Sequence, residues 1–180
     1  MDRDIIDELI ADALDCGFSH VGPLDVSTIV IHKEARDACA ENKCGRYGTN
    51  WSCPPGCGTL DECERLIRRY SRGVIVQTTG EIDVFDYDTY LEVGKRHHEL
   101  FSRFARTVRK KAPDALLCGG SSCSGCSECT YPDAPCRFPE RLSYPMEGLG
   151  MMVYEVCRDN GLKYNYGNGT LTYIGCVLVD

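Results

Sequence analysis

The sequence predicts an α+β fold: several helices beside one small mixed sheet that ends in a C-terminal β-hairpin, with two cysteine-rich metal-binding loops at strand and helix ends. Three observations lead there. Segments of helical period stand among short runs rich in β-branched residues. Asn168-Gly169 joins two such runs near the C-terminus, where a tight turn demands positive φ. Ten of the 13 cysteines crowd into two stretches, 39–63 and 118–137, that are broken up by glycine, proline and serine. With 180 residues, 43% hydrophobic and 26% charged, one domain covering 1–180 is expected.

From Asp4 to Leu14, Ile5, Ile6, Leu9, Ile10, Ala13 and Leu14 recur with helical period, and Gly17 ends the helix. Phe18 to Ile31 reads as an extended segment broken at Gly22-Pro23. A short helix, Lys33 to Ala40, delivers Cys39. Asn42 to Gly58 is a loop, with four glycines and two prolines in 17 residues. Thr59, with Glu62 in the capping-box position, opens a helix that reaches about Tyr70 and carries Cys63 in its first turns. Gly73 to Thr79 is a strand. After Phe85 a long amphipathic helix sets Tyr87, Tyr90, Leu91, Gly94, His98, Phe101, Phe104, Ala105 and Val108 on one face, and Pro113 stops it. His97 and His98 are adjacent, so at most one faces the core. Ala115 to Cys118 is a short strand, Met146 to Asn160 a helix ending at Gly161, and Leu162–Tyr166 with Thr170–Val179 the closing hairpin.

The chemistry is concentrated in thiols. Cys123, Cys126 and Cys129 form C-x2-C-x2-C, with Cys136 after six more residues. Three thiols so spaced on a Gly/Ser-rich loop converge on one point, as in the ferredoxin run that holds a [4Fe–4S] cluster; zinc sites more often show two separated pairs. Gly119, Gly120 and Gly125 let backbone N–H groups approach sulfur, and Tyr131-Pro132 and Phe138-Pro139 supply an apolar roof. Ferredoxin runs end in C-x3-C-P, whereas here the last interval is six residues and Arg137 follows, so each cluster keeps its own four ligands. The first site centres on Cys39, Cys44 and Cys53, with Cys57 or Cys63 as fourth thiolate. Cys57 is nearer in sequence; Cys63 lies near a helix N-terminus, whose dipole stabilises a thiolate. Tyr47 and Trp51 shield this site. Cys16, Cys157 and Cys176 stand alone in apolar patterns and read as small core residues.

Cys39 to Pro55 reads C-x4-C-G-x-Y-G-T-N-W-x-C-P-P, Gly58 to Cys63 reads G-T-L-D-E-C, and Cys123 to Glu140 reads C-x2-C-x2-C-x6-C-R-F-P-E. With P-M-E-G-L-G from Pro145 and T-Y-I-G-C-V-L from Thr172, this combination resembles the family designated domain of unknown function 2284 over nearly the whole chain. The resemblance implies cysteine-bound metal and favours Cys63 over Cys57. It implies no reaction.

A net charge of -7 argues against general nucleic-acid binding. No apolar run has the length to span a bilayer, and the acidic, amphipathic Met1–Ile6 is unlike a signal peptide, so a cytoplasmic protein is expected. In a reducing compartment clustered thiols hold metal more often than they form disulfides. No phosphate-binding glycine loop, nucleophile triad or paired carboxylates stand out. The expected function is single-electron transfer in anaerobic metabolism, through two [4Fe–4S] clusters on Cys39, Cys44, Cys53 and Cys63 and on Cys123, Cys126, Cys129 and Cys136. The helix over Lys95–Lys111 bears seven cations against Glu99, a stripe able to dock an acidic redox partner or an anionic cofactor. Two rivals differ in class. One is a zinc-stabilised binding module. The other is a redox or activating enzyme acting on a small molecule or a partner's cofactor, which would show a pocket beside one cluster with polar groups that packing does not explain.

Overall fold

Five strands form one sheet in the order β1-β2-β5-β3-β4: β1 (His20–Asp25), β2 (Arg72–Glu81), β3 (Leu116–Gly119), β4 (Tyr144–Pro145) and β5 (Thr170–Val179). Neighbours are antiparallel except β3 and β4, so the sheet is mixed. The computed structural model describes residues 4–180, and the part of the N-terminal reading that rests on Met1–Arg3 lies outside them. Helices α1 (Ile5–Cys16), α2 (Lys33–Ala40), α3 (Leu60–Ile67), α4 (Tyr87–Lys111) and α5 (Val153–Asp159) complete the α+β architecture. Among the described residues no helix is long and apolar enough to cross a membrane.

Strand alternation sorts the core into two layers. Val74 and Val76 of β2 join Leu9, Phe104 and Val108, so α1 and α4 cover that face. Ile75 points the other way, into a layer with Cys63, Ile67, Cys118, Cys157 and Cys176. Cys157 and Cys176 are the buried core residues expected, and Cys16 is half-buried. The first cysteine loop therefore grows from the rim of the layer that α3 and α5 cover.

Four local expectations change. The extended segment stops at Asp25, whose carboxylate accepts the Ser27 N–H at 2.8 Å and turns the chain into one turn of 3-10 helix, Val26–Thr28. The helix expected over Met146–Asn160 splits into the 3-10 turn Glu147–Leu149 and α5. Gly150 sits between them at φ 89, where an added Cβ would come within 2.8 Å of Ile31 and Leu60. The C-terminal hairpin does not form, because β5 pairs instead with β2 and β3. Residues 162–166 cross the face of the sheet. Leu162 lies over Gly22, the Gln77 amide donates to the Lys163 carbonyl at 2.8 Å, and Tyr166 stacks on His20. Lastly, α4 is rotated from its expected face: Val93, His97, Leu100, Phe101, Phe104 and Val108 are buried, while Tyr87, Leu91 and His98 are exposed.

His97 is buried against β2, where its Nδ1 and the Thr78 hydroxyl are 2.8 Å apart, and Phe18, Phe101 and Tyr173 surround the ring. Burial, with a minor contribution from His98, lowers its pKa from 6.5 to about 4. The unfolded chain therefore binds a proton that the folded chain refuses as pH falls through 6.5 towards 4. Stability is whole above that window and is lost within it, by up to about 3 kcal/mol from this group. A His97→Gln protein, which keeps a partner for Thr78, is expected to show a flatter stability profile in urea titrations over the same window. Identical slopes would remove His97 as the cause.

Candidate metal centres

Strand β3 leads into the second cysteine loop. Cys118, still on the strand, is fully buried opposite Cys176 of β5, and that neighbouring thiol together with burial raises its own, so it belongs to the core. Beyond it, Cys123, Cys126, Cys129 and Cys136 are all half-buried. The Cys123 sulfur accepts the Gly125 N–H at 3.3 Å, and a Cβ at position 125 would sit 3.4 Å from that sulfur. A side chain at position 125 would thus lie in contact with that sulfur. Cys129 and Cys136 flank a closed turn. The Ala134 N–H donates to the Thr130 carbonyl at 3.0 Å, the Thr130 hydroxyl to the Pro135 carbonyl at 2.8 Å, and Arg137 to the Glu128 carbonyl at 2.9 Å. These bonds fold the six intervening residues into a turn between the two cysteines.

The first site is assembled from two helices and the loop between them. Helix α2 ends just after Cys39. Helix α3 is started by the expected capping box: the Glu62 N–H donates to Thr59 Oγ1 at 3.2 Å and the Thr59 N–H to Glu62 Oε2 at 2.7 Å. One turn in, Cys63 is completely buried. Arg36, on α2, donates one Nη to the Cys63 sulfur at 3.2 Å and the other to the Gly58 carbonyl at 2.8 Å, tying α2 to the start of α3. The Cys63 sulfur lies 3.4 Å from the Cys57 carbonyl, and the Cys57 thiol donates to the Gly148 carbonyl at 3.4 Å. Of the two, Cys63 is lowered to about 7, first by the neighbouring Cys57 thiol and then by Arg36 against the opposing effect of burial, while Cys57 is pushed up. The stabilising cation is thus Arg36 in addition to the helix terminus the sequence pointed to. Cys39 is raised, first by burial and then by the negative charge of Glu147 and the neighbouring Cys53 and Cys44. Glu147 itself is exposed, yet the protein packed around it removes hydration and raises its carboxyl.

The two loops are fastened to each other. Buried Asn50 accepts, on Oδ1, the N–H groups of Ser52 and Cys53 at 3.0 Å each and the Ser52 hydroxyl at 2.7 Å. That hydroxyl in turn accepts the Cys123 N–H at 2.8 Å. One polar chain thus runs from the first loop to the first cysteine of the second. Trp51 donates to the Ala134 carbonyl at 3.0 Å and meets the Tyr131 ring edge-on at 4.9 Å, so it seals the junction between the loops. Arg46 adds a bond to Ser122 at 2.9 Å. Tyr144, on β4, packs against the same core, and its phenol is pushed up to about 12 by burial and by the nearby Cys57, Cys118, Cys63 and Cys136. Tyr144 thus packs on the core cluster that holds Cys63 and Cys118.

Cys44 and Cys53 are close enough to Cys39 to raise its thiol, as Cys63 and Cys53 are to raise that of Cys57. Both candidates for the fourth position stand at the first site. Among the described residues, no three His, Cys, Asp or Glu side chains stand close enough to hold a single metal ion, and all 13 cysteines are free. The donor set is soft thiolate throughout, and the Gly125 amide already aimed at a sulfur is the kind of contact iron–sulfur clusters receive. The residues fit such a group. Sequence reasoning missed Asn50 and Ser52, although small polar residues two apart in a turn-rich loop are a legible Asx-type signal. It missed Arg36, one helical turn before Cys39, and nothing local points to Tyr144.

No curated protein and no solved structure matches the chain. The profile of the family described as predicted metal-binding protein (DUF2284) matches residues 22–179, nearly the whole fold and both cysteine loops, and the chain belongs to that family.

Proposed function

We propose that this metal-binding protein carries two [4Fe–4S] clusters, one on Cys39, Cys44, Cys53 and Cys63 and one on Cys123, Cys126, Cys129 and Cys136, and passes single electrons to or from a protein redox partner in anaerobic metabolism. The observation that supports this most is the polar chain Asn50–Ser52–Cys123, which joins two thiol-rich loops as one body. Electron transfer asks a protein for fixed distance, apolar shielding and hydrogen bonds to sulfur, and these residues supply each. When bound, such clusters accept one electron with little rearrangement. Trp51 packs edge-on against Tyr131 at the junction, the Gly125 N–H and the Arg36 guanidinium place positive dipole or charge beside sulfur, and Tyr144 packs on the core that holds Cys63 and Cys118.

An acidic partner docking on Lys95–Lys111 is the second part of the proposal. The basic stripe is narrower than its sequence suggests: Lys111 pairs with Glu8 and Asp12, and Arg96, Arg103 and Arg109 donate to backbone carbonyls. Lys95, Arg106 and Lys110 remain for contact with another molecule.

Protein purified without oxygen is expected to be brown, to bleach with dithionite, and to contain iron and acid-labile sulfide in equal amounts. Colourless protein containing zinc would overturn the electron-carrier reading and leave a zinc-stabilised binding module.

A further inference from the structure

A cavity of about 960 Å³ opens between α4 and the second cysteine loop. This volume is at the upper end of the range for small-molecule sites. Its apolar lining is Phe101, Ala105, Leu117 and the Tyr173 ring, with Leu91 at the exposed edge. Its rim is basic: Lys95, Arg106, Lys110 and Arg141 line it, with Glu140 as the single acidic lining residue, 3.6 Å from Arg141. Lys95, Arg106 and Lys110 form no ion pair among the described residues. In a chain of net charge -7, that local excess of cations is set against the overall balance.

A second, independent feature lies in the wall. His97 is 2% exposed and lines the cavity, yet its Nε2 has no hydrogen-bond partner among the described residues. That nitrogen faces Gly120, where an added Cβ would come within 3.2 Å of it. An orphaned polar atom at such burial costs free energy unless something satisfies it. The opposite wall is the Gly119–Gly125 stretch that carries Cys123, and Ser124 meets His98 of α4 at 3.2 Å.

We infer that this cavity is a binding site for an amphipathic organic anion, with its apolar body against Phe101, Leu117 and Tyr173, its anionic head at Arg106 and Lys110, which stand one helical turn apart, and a polar group within reach of His97 Nε2. The occupant would sit directly beside the Cys123 loop. The inference goes beyond electron transfer, and it stands or falls separately from the identity of the metal.

Isothermal titration of the full chain, purified without oxygen, tests it with a matched series: octanoate, octyl phosphate, octan-1-ol and octylammonium. At least one of the two anions is expected to bind one-to-one, roughly tenfold or more tighter than the alcohol, with the cation weakest. Whichever anion binds better identifies the head group. Arg106→Glu/Lys110→Glu is expected to weaken the anion by roughly tenfold or more. Ala105→Trp, which fills the cavity without touching charge, should weaken anion and alcohol alike. Both variants are first checked for native circular dichroism and wild-type metal content. Equal affinity for anion and alcohol, indifference to the charge reversal in a folded variant, or no binding of either anion would overturn the site. Metal and sulfide measured on the same sample separate the two ideas. Anion binding to a zinc-loaded protein would sustain the site and remove the electron carrier, and intact clusters with no anion binding would do the reverse.

Discussion

Asn50→Ala is expected to cost roughly 2–6 kcal/mol of unfolding free energy, because it strands two buried amide donors at about 1–3 kcal/mol each. That is a large part of the ~5–15 kcal/mol that holds a domain of ordinary stability together. Asn50 is 6% exposed, and the amides of Ser52 and Cys53 have no other partner within the loop to turn to. The damage should reach the other loop, since the Ser52 hydroxyl that receives the Cys123 N–H is itself oriented by Asn50. Hydrogen exchange should therefore quicken at Cys123 as well as over the first loop, and urea unfolding should shift to a lower midpoint. Asn50→Asp, which keeps the acceptor oxygen, should fall between the two. An unchanged midpoint with exchange confined to residues 50–53 would show that the loops are docked by Trp51 and Arg46 alone.

Cys129→Ser and Cys63→Ser are each expected to remove about half of the iron and sulfide, and the double variant nearly all, because each residue is assigned to a separate four-thiolate cluster. Cys129 begins the turn that returns the chain to Cys136, so no nearby cysteine can replace it without opening the Thr130–Pro135 bonds. Cys63 is held on α3 with Arg36 at 3.2 Å from its sulfur, a fixed position that a loop thiol lacks. Cys57→Ser should leave both clusters in place. Iron analysis with visible absorption decides the matter, and retention in Cys63→Ser with loss in Cys57→Ser would transfer the fourth position of the first site to Cys57.

Local signals carried most of the element positions. Helix α2 begins and ends at the expected residues, and α3 starts at Thr59 because its cap needs only groups three residues apart. The face of α4 failed for the opposite reason. Its helical period was legible, but the buried stripe is fixed by what it packs on. Val93 presses onto Gly80 of β2, where an added Cβ would come within 2.5 Å, and this turns Leu91 and His98 outward. The hairpin failed similarly, since two adjacent runs of strand-forming residues look alike whether they pair with each other or not. Gln77, 86 residues before Lys163 in the chain, holds 162–166 across the sheet instead.

For the candidate sites the division is the same. The sequence alone determined that thiols are grouped in two glycine- and proline-rich stretches and that the family is one of predicted metal-binding proteins. It also set the spacing by which Cys129 and Cys136 can meet across a turn. Only the tertiary structure decided that the two stretches share the Asn50–Ser52–Cys123 chain, that Arg36 serves Cys63, that Cys118 belongs with Cys176 in the core, and that a basic-rimmed cavity lies beside Cys123. The physical reason is range. Periodicity, caps and ligand spacing act within a few residues of chain, while docking, burial and the sign of a cavity are sums over groups that meet only when the sheet brings them together.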